Sequence, residues 1–155
     1  MGIFHTFLLE DPQATKALGE RLSARLKAGD VVFLIGDLGM GKTTLARSII
    51  ASKCGVDDAP SPTYTIIQTY ETSDNIPLWH VDLYRVEEKA ELEQLGLEDA
   101  FDDAISLIEW PERLGDDAPA NRLEVQLSVP QGGMDTAREV RITGLGEWES
   151  RIDDI

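Results

Sequence analysis

Apolar residues follow two different patterns along this chain. Val31–Ile35 and residues 104–108 are almost continuously apolar, which is typical of strands that are buried on both faces of a sheet. Residues 123–129 and 138–143 alternate between apolar and polar side chains, which is typical of strands with one solvent-facing side. The two patterns therefore predict a sheet that contains both doubly covered and half-exposed strands.

Turn-forming residues predict two hairpins. Residues 130–135 contain two consecutive glycines and separate the two alternating stretches. Residues 64–70 are rich in β-branched and aromatic residues and predict an earlier strand, which the turn formers at 73–75 join to a strand over residues 78–84. Since a hairpin joins antiparallel strands, the sheet is expected to be mixed.

Helical spacing and capping residues predict helices between these strands. Asp11 is a suitable N-cap for a helix that has Pro12 in its first turn and ends near residues 28–29. A second helix follows the glycine-rich segment after Ile35 and ends before Gly55. The other predicted elements are a first strand over residues 3–9 and two short helices over residues 89–95 and 97–103, with Gly96 as the residue that ends the first of them.

The segment Gly36-Asp37-Leu38-Gly39-Met40-Gly41-Lys42-Thr43 fits G-x-x-x-x-G-K-[ST], the phosphate-binding loop of P-loop NTPases. It lies between a predicted buried strand and a predicted helix, which is the context that the motif requires. In such a loop small residues let backbone N–H groups approach phosphate oxygens, and the helix N-terminus adds a partial positive charge. Lys42 is expected to reach the β and γ phosphates, and Thr43 to offer its hydroxyl to Mg²⁺. The fold class is therefore predicted as α/β and P-loop NTPase-like, with a mixed, mainly parallel sheet, antiparallel strands and helices on both faces, in one domain over residues 1–155.

Two acidic residues end apolar strands, where a P-loop enzyme places a carboxylate for Mg²⁺. Asp82 and Glu109 are both candidates, and the sequence leaves open which holds the metal and which orients the attacking water. Thr63 precedes a predicted strand and either senses the γ-phosphate through Mg²⁺ or only begins that strand. We interpret His80 as a structural strand residue, and Trp110 as a packing corner whose ring could also cover the site.

Composition and charge narrow the possible functions. The chain has 155 residues, of which 29 are acidic and 14 basic, for a net charge of −15. Such a charge argues against a direct grip on nucleic acid, which needs a basic face. The N-terminus lacks the basic region of a signal peptide, no segment is long and apolar enough for a membrane span, and Cys54 is the single cysteine. We therefore expect no membrane association and a reducing, cytoplasmic location.

Several motifs together resemble the TsaE (YjeE) family of bacterial ATPases, which are required to make threonylcarbamoyladenosine in tRNA. The matching segments are Gly36-Asp37-Leu38-Gly39-Met40-Gly41-Lys42-Thr43-Thr44, Ser61-Pro62-Thr63-Tyr64-Thr65, His80-Val81-Asp82-Leu83-Tyr84-Arg85 and Ile108-Glu109-Trp110-Pro111. The P-loop alone is not specific to this family, but the joint set is. Met40 departs from the small residue common at its position, although its backbone can still serve.

The resemblance implies a compact P-loop ATPase that uses ATP, yields ADP and requires Mg²⁺. It implies assembly with two proteins, TsaD and TsaB, and contact with tRNA only indirectly through that complex. Lys42, Asp82 and Glu109 are the expected catalytic residues, and Thr43, Glu109 and Asp82 the expected metal site. The expected nucleotide contacts are Asp11, Pro12, Gly36, Asp37, Leu38, Gly39, Met40, Gly41, Lys42, Thr43, Thr44, Thr63 and Trp110, of which Asp11 and Pro12 resemble the family's adenine-side contact.

Two other functions remain open from the sequence. A small-molecule kinase would need an acceptor pocket and an arginine-bearing lid, whereas Arg85, Arg113 and Arg122 are scattered. A nucleotide-gated protein-binding module would hold MgATP through the same residues as an ATPase but would hydrolyse it negligibly.

Overall fold

The computed structural model describes residues 2–132 and 136–155. The end of the predicted hairpin loop, residues 133–135, lies outside the described residues. Within them, the strands are β1 Ile3–Leu9, β2 Val31–Ile35, β3 Ile67–Glu71, β4 Pro77–Asp82, β5 Ile105–Glu109, β6 Arg122–Ser128 and β7 Arg138–Leu145. The α-helices are α1 Pro12–Arg25, α2 Lys42–Cys54, α3 Lys89–Gln94 and α4 Leu97–Asp103, and short 3₁₀ helices follow over Pro111–Asp117, Gly146–Ser150 and Ile152–Asp154.

All the described strands join one sheet in the order β1-β7-β6-β2-β5-β4-β3. The four central strands β6, β2, β5 and β4 run parallel, while β1 and β7 on one side and β3 on the other add antiparallel pairs. Both predicted hairpins, β3–β4 and β6–β7, are therefore present. The predicted α/β fold with a mixed sheet is confirmed.

The side chains of β2 explain why its sequence is apolar throughout. Val32 and Leu34 point to one face, where they join the core that α1 and α2 cover. Val31 and Phe33 point to the opposite face and pack with residues from α3, α4 and the 3₁₀ helix after β5. Helices thus cover β2 on both faces, as the continuous apolar run predicts.

Several element boundaries differ from the sequence-based prediction, most of them by one or two residues. Helix α1 ends at Arg25, and not near residues 28–29, because the backbone of Leu26 is already extended. Strand β4 ends at Asp82 rather than at residue 84. Strand β3 begins at Ile67 rather than at residue 64, because Ile66 has a positive φ of 70° and donates its amide to the carbonyl of Pro62 at 2.7 Å. Among the described residues, no helix combines the length and apolar character that a membrane crossing requires.

Candidate functional site

The glycine-rich loop connects the end of β2 to the first residue of α2, Lys42. A Cβ on Gly36 would lie 2.8 Å from the carbonyl oxygen of Leu127 on β6, so a larger residue would not fit. Gly41 is the N-cap of α2 and has a φ of 103°, a conformation that L side chains rarely adopt. These two glycines fix how the chain leaves the sheet and enters the helix.

The beginning of α2 offers backbone donors to an anion. The first hydrogen bond of the helix joins the amide of Leu45 to the carbonyl of Gly41 at 2.9 Å. The amides of residues 42–44 precede it and have no carbonyl one turn earlier within the helix. Together with the positive end of the helix dipole, they form a site suited to phosphate or another anion.

The ammonium group of Lys42 is buried without a hydrogen-bond partner among the described residues. The side chain is only 5% exposed, and Nζ lies 3.5 Å from the centroid of the Trp110 ring. Burial lowers the pKa of Lys42 below its ordinary value, although the nearby Glu109 and Asp82 act in the opposite direction. An unpaired buried charge is costly, so this arrangement indicates that the ammonium group is placed for an anionic ligand.

Glu109, the last residue of β5, is held by two side chains. The hydroxyl of Thr43 donates to its two carboxylate oxygens at 3.1 and 3.2 Å. His80 Nε2 on β4 lies 2.7 Å from Glu109 Oε2, and the ring is completely buried. A carboxylate oxygen accepts hydrogen bonds, so Nε2 of His80 is the donor, while its Nδ1 has no partner among the described residues. Glu109 therefore faces the helix N-terminus in a fixed orientation.

Asp82, the last residue of β4, lies beside Glu109 because the two are register partners in the parallel pair β4–β5. Its Oδ1 accepts the amide of Tyr84 at 2.9 Å, and its Oδ2 accepts the hydroxyl of Thr63 at 3.3 Å. The Thr63 hydroxyl also lies 2.7 Å from the hydroxyl of Ser61. The loop before β3 is thus attached to the second acidic residue of the site.

Trp110 covers the lysine from outside. Its backbone has a φ of 59° and a ψ of 50°, which is unfavourable for a bulky residue and turns the chain sharply after β5. The ring stacks at a tilt against Tyr84, with centroids 4.9 Å apart. Pro111 then begins the 3₁₀ helix. Trp110 thus packs at this corner against Tyr84 and also contacts the ammonium group of Lys42.

A cleft of about 240 Å³ brings most of the predicted site residues together. It is lined by Leu38, Gly39, Gly41, Lys42, Thr43, Thr44, Thr63, Asp82, Glu109 and Trp110. Gly36, Asp37 and Met40 belong to the same loop but do not line this cleft. The side chain of Met40 packs against the main core instead, which explains why a larger residue is accommodated at this position.

Asp11 and Pro12 lie outside that cleft. Asp11 Oδ1 accepts the amide of Ala14 at 2.9 Å and caps α1, as its position in the sequence predicts. Pro12 lines a second cleft of about 580 Å³, which also involves Thr44, Arg47 and Asp57. Thr44 lines both clefts, so the second one adjoins the phosphate loop.

The donor set of the cleft suits a small, hard cation. Within the described residues, no group of three or more His, Cys, Asp or Glu side chains gathers at a point. The site instead offers two carboxylates, Asp82 and Glu109, and the hydroxyls of Thr43 and Thr63. This favours Mg²⁺, which takes one or two carboxylates and completes its shell with water and phosphate oxygens.

The sequence does not predict two contacts of the site. His80 was interpreted as a structural strand residue, but it also orients Glu109. Arg138 at the start of β7 donates from Nε to the carbonyl of Met40 at 3.1 Å and from Nη2 to that of Gly39 at 3.4 Å. The alternation of charged and apolar residues around position 138 predicts a strand but gives no sign of this contact.

Comparison with known proteins decides the family. Residues 9–140 match the family model described as threonylcarbamoyl adenosine biosynthesis protein TsaE. The chain belongs to the TsaE family. The resemblance inferred from the four matching segments of the sequence is thereby confirmed.

Individual relatives agree with this assignment. A TsaE protein of Rickettsia felis is 41% identical over 123 residues, which cover 79% of this chain and 71% of the relative. A TsaE protein of Streptomyces coelicolor is 41% identical over 144 residues, which cover 89% and 95%. The crystal structure of Bacillus subtilis YdiB superposes with a TM-score of 0.79 and 28% identity, covering 98% of this chain and 93% of YdiB. As a TsaE-family member, the chain has a role in threonylcarbamoyladenosine biosynthesis.

Proposed function

We propose that this chain is a Mg²⁺-dependent ATPase subunit that acts in a complex with TsaD and TsaB and sustains their turnover in tRNA modification. The observation that supports this proposal best is the buried ammonium group of Lys42, which has no hydrogen-bond partner within the described residues and lies between a helix N-terminus and two carboxylates. Burying an unpaired charge costs free energy, and a lysine that only supports the fold would gain nothing in return. A phosphate chain would complete the site.

Each residue of the cleft has a distinct role in this proposal. The loop amides and Lys42 bind the phosphates and neutralise their charge, which is the main requirement of phosphoryl transfer. Thr43 and Glu109 would hold Mg²⁺, which supplies charge stabilisation on the phosphate oxygens when bound. Asp82 would orient the attacking water, and Thr63, hydrogen-bonded to Asp82, would report the state of the γ-phosphate.

The two adjoining clefts suggest where the rest of the nucleotide lies. The cleft at Lys42 has a volume of about 240 Å³, which suits the phosphates and a metal ion better than an entire nucleotide. The second cleft, about 580 Å³, begins at Thr44 and includes Pro12. We assign the ribose and adenine to this second cleft, which agrees with the expected adenine-side role of Pro12.

The overall charge supports an indirect relation to tRNA. At −15, the chain would repel a phosphate backbone over most of its surface. The tRNA would therefore be held by TsaD and TsaB, and this subunit would contact proteins. The expected cytoplasmic location follows from that role.

The proposal can be tested by measuring ATP turnover with purified TsaD and TsaB. We expect the three proteins together to hydrolyse ATP in a Mg²⁺-dependent manner, and the Lys42→Ala variant to lose this activity. Equal turnover by Lys42→Ala and the parent would contradict the proposal. Tight nucleotide binding without any partner-stimulated hydrolysis would instead favour the nucleotide-gated module, and a phosphorylated metabolite in a substrate screen would favour the kinase.

A further inference from the structure

Arg138 joins the antiparallel half of the sheet to the phosphate loop. It is the first residue of β7 and lies 98 positions from Met40 in the chain. Nε and Nη2 donate to the carbonyls of Met40 and Gly39, at 3.1 and 3.4 Å. Nη1 donates to the carbonyl of Ala137 at 2.7 Å, so the guanidinium group is itself held in place. The side chain therefore forms a fixed brace behind the loop.

The direction of these contacts determines where the loop amides point. A peptide unit is planar and trans, so its C=O and N–H groups point in opposite directions. When the carbonyl of Met40 points outward to Arg138, the N–H of Gly41 in the same peptide unit points away from Arg138, and Gly41 lines the cleft. The amide of Met40 donates to the carbonyl of Asp37 at 3.2 Å. Hydrogen bonds thus hold both peptide units that flank Met40.

This part of the loop would otherwise be flexible. Gly39 and Gly41 flank Met40, both have positive φ, and a Cβ on either would meet nothing within 4 Å. Glycines lose more conformational freedom on ordering than other residues. A loop that is ordered before its ligand arrives does not incur that entropy loss on binding, and its affinity is higher for the same contacts.

We infer that Arg138 is a positioning residue for phosphate binding, which uses its hydrogen bonds to the carbonyls of Met40 and Gly39 to hold the Met40–Gly41 peptide with the N–H of Gly41 toward the cleft. This inference rests on the proposed nucleotide-binding function. It assigns a part in that function to β7, which contributes no residue to the lining of the cleft.

A matched control is available on the same strand. Arg141 on β7 carries the same charge, but its guanidinium group lies 3.9 Å from the centroid of the exposed Phe4 ring. Removal of either arginine lowers the positive charge by one unit. A difference between Arg138→Ala and Arg141→Ala therefore reports on the contacts of Arg138 and not on net charge, and loop exchange shows whether the loop is affected.

The test combines titration calorimetry with ADP in the absence of Mg²⁺ and amide hydrogen exchange of the nucleotide-free protein. We expect Arg138→Ala to weaken ADP binding about tenfold, because it removes hydrogen bonds from a charged donor to the loop. Arg141→Ala should bind within about twofold of the parent, as expected for an exposed charge. Exchange over residues 36–43 should be faster in Arg138→Ala, while residues 45–54 of α2 keep their protection.

Three further measurements separate positioning from simple stabilisation of the fold. Guanidinium chloride at low millimolar concentration should restore part of the ADP affinity of Arg138→Ala and leave that of the parent unchanged. Arg138→Lys, which lacks the planar fork, should be intermediate in affinity and in loop exchange, and it supplies the comparison if Arg138→Ala does not fold. Thermal denaturation shows whether a variant has lost affinity only because it has lost stability.

The possible results are distinguishable. Parent-like ADP affinity and parent-like loop exchange in both Arg138 variants would overturn the inference. An equal loss of affinity in Arg141→Ala would overturn it as well. If the parent itself binds no ADP, the proposed function fails, and the exchange data alone then decide whether Arg138 orders the loop.

Discussion

The two halves of this sheet differ in whether their buried side chains include polar groups. In the parallel half, four buried polar or charged residues, Lys42, His80, Asp82 and Glu109, gather near the ends of β2, β4 and β5, and Ser106 near the start of β5 is buried as well. The antiparallel half consists of β7 and the two strands with which it pairs antiparallel, β1 and β6, although β6 is also parallel to β2. None of the described residues of these strands is a buried polar or charged side chain. Burying polar groups costs free energy. The comparison therefore separates a region whose buried polar groups mostly line or orient the proposed ligand site from a region whose buried side chains are apolar.

Lys42→Met should have the largest effect on ligand binding. Without the ammonium group, we expect affinity for ADP to fall roughly 100-fold, as for the loss of one partner of a buried charge pair. The pKa of Lys42 is lowered because burial outweighs the attraction of the acids, so the free energy of unfolding should be unchanged or higher. Calorimetry and urea denaturation measure the two quantities. A variant that loses binding together with stability would show that Lys42 supports the fold.

Glu109→Ala and Asp82→Ala should have different effects, the first on metal binding and the second on catalysis. Glu109 is bonded to Thr43 at the helix N-terminus, so its loss should remove the Mg²⁺ dependence of nucleotide binding. Asp82 is bonded to Thr63, so its loss should lower turnover roughly 100-fold while more of the nucleotide affinity remains. Titrations with and without Mg²⁺, together with turnover assays, decide the matter. Equal binding and equal turnover in the two variants would refute this division of roles.

His80→Leu should have a smaller effect through Glu109. It removes the imidazole donor that lies 2.7 Å from the carboxylate, and the loss of such an orienting contact lowers metal affinity about tenfold. Ser106→Ala is the matched control, because Ser106 is also fully buried on this sheet but has no hydrogen-bond partner among the described residues. The concentration of Mg²⁺ that gives half-maximal turnover measures the effect. A similar shift in both variants would mean that His80 acts only through packing.

Of these substitutions, Ile142→Ala should have the smallest effect on function, because we expect it to leave ligand binding unchanged. Ile142 on β7 is completely buried in the core under α1 and α2. Its truncation should lower the free energy of unfolding by about 3 kcal/mol. ADP affinity, measured well below the unfolding temperature, should stay that of the parent. Weaker binding without partial unfolding would mean that packing in the antiparallel half also shapes the site.

The sequence predicts those parts of the fold that depend on local patterns. The apolar run Val31–Ile35 indicates a strand that is covered on both faces, and the structure has it there. The same reasoning fails for residues 64–66, whose β-branched and aromatic composition favours a strand. In the structure Ile66 takes a left-handed conformation, and its carbonyl accepts the amide of Asp82 at 2.8 Å. A tertiary contact here overrides the local propensity.

The residues of the candidate site also divide into those that the sequence predicts and those that it does not. Lys42 and Thr43 follow from a contiguous motif, and Asp82 and Glu109 from their positions at strand ends. His80 does not, because its contact with Glu109 depends on how β4 and β5 align. Arg138 does not either, because its partner Met40 is 98 positions away and on a different structural element. Pattern reasoning finds residues that carry a motif, and it misses residues that orient others across the sheet.

Titration calorimetry of the parent protein with ADP, with and without Mg²⁺, tests the central claim most directly. The claim is that the loop after β2, the start of α2 and Lys42 form a phosphate site opposite two carboxylates. The account predicts saturable binding at one site that Mg²⁺ modifies. No measurable binding under either condition, with TsaD and TsaB also present, would contradict it.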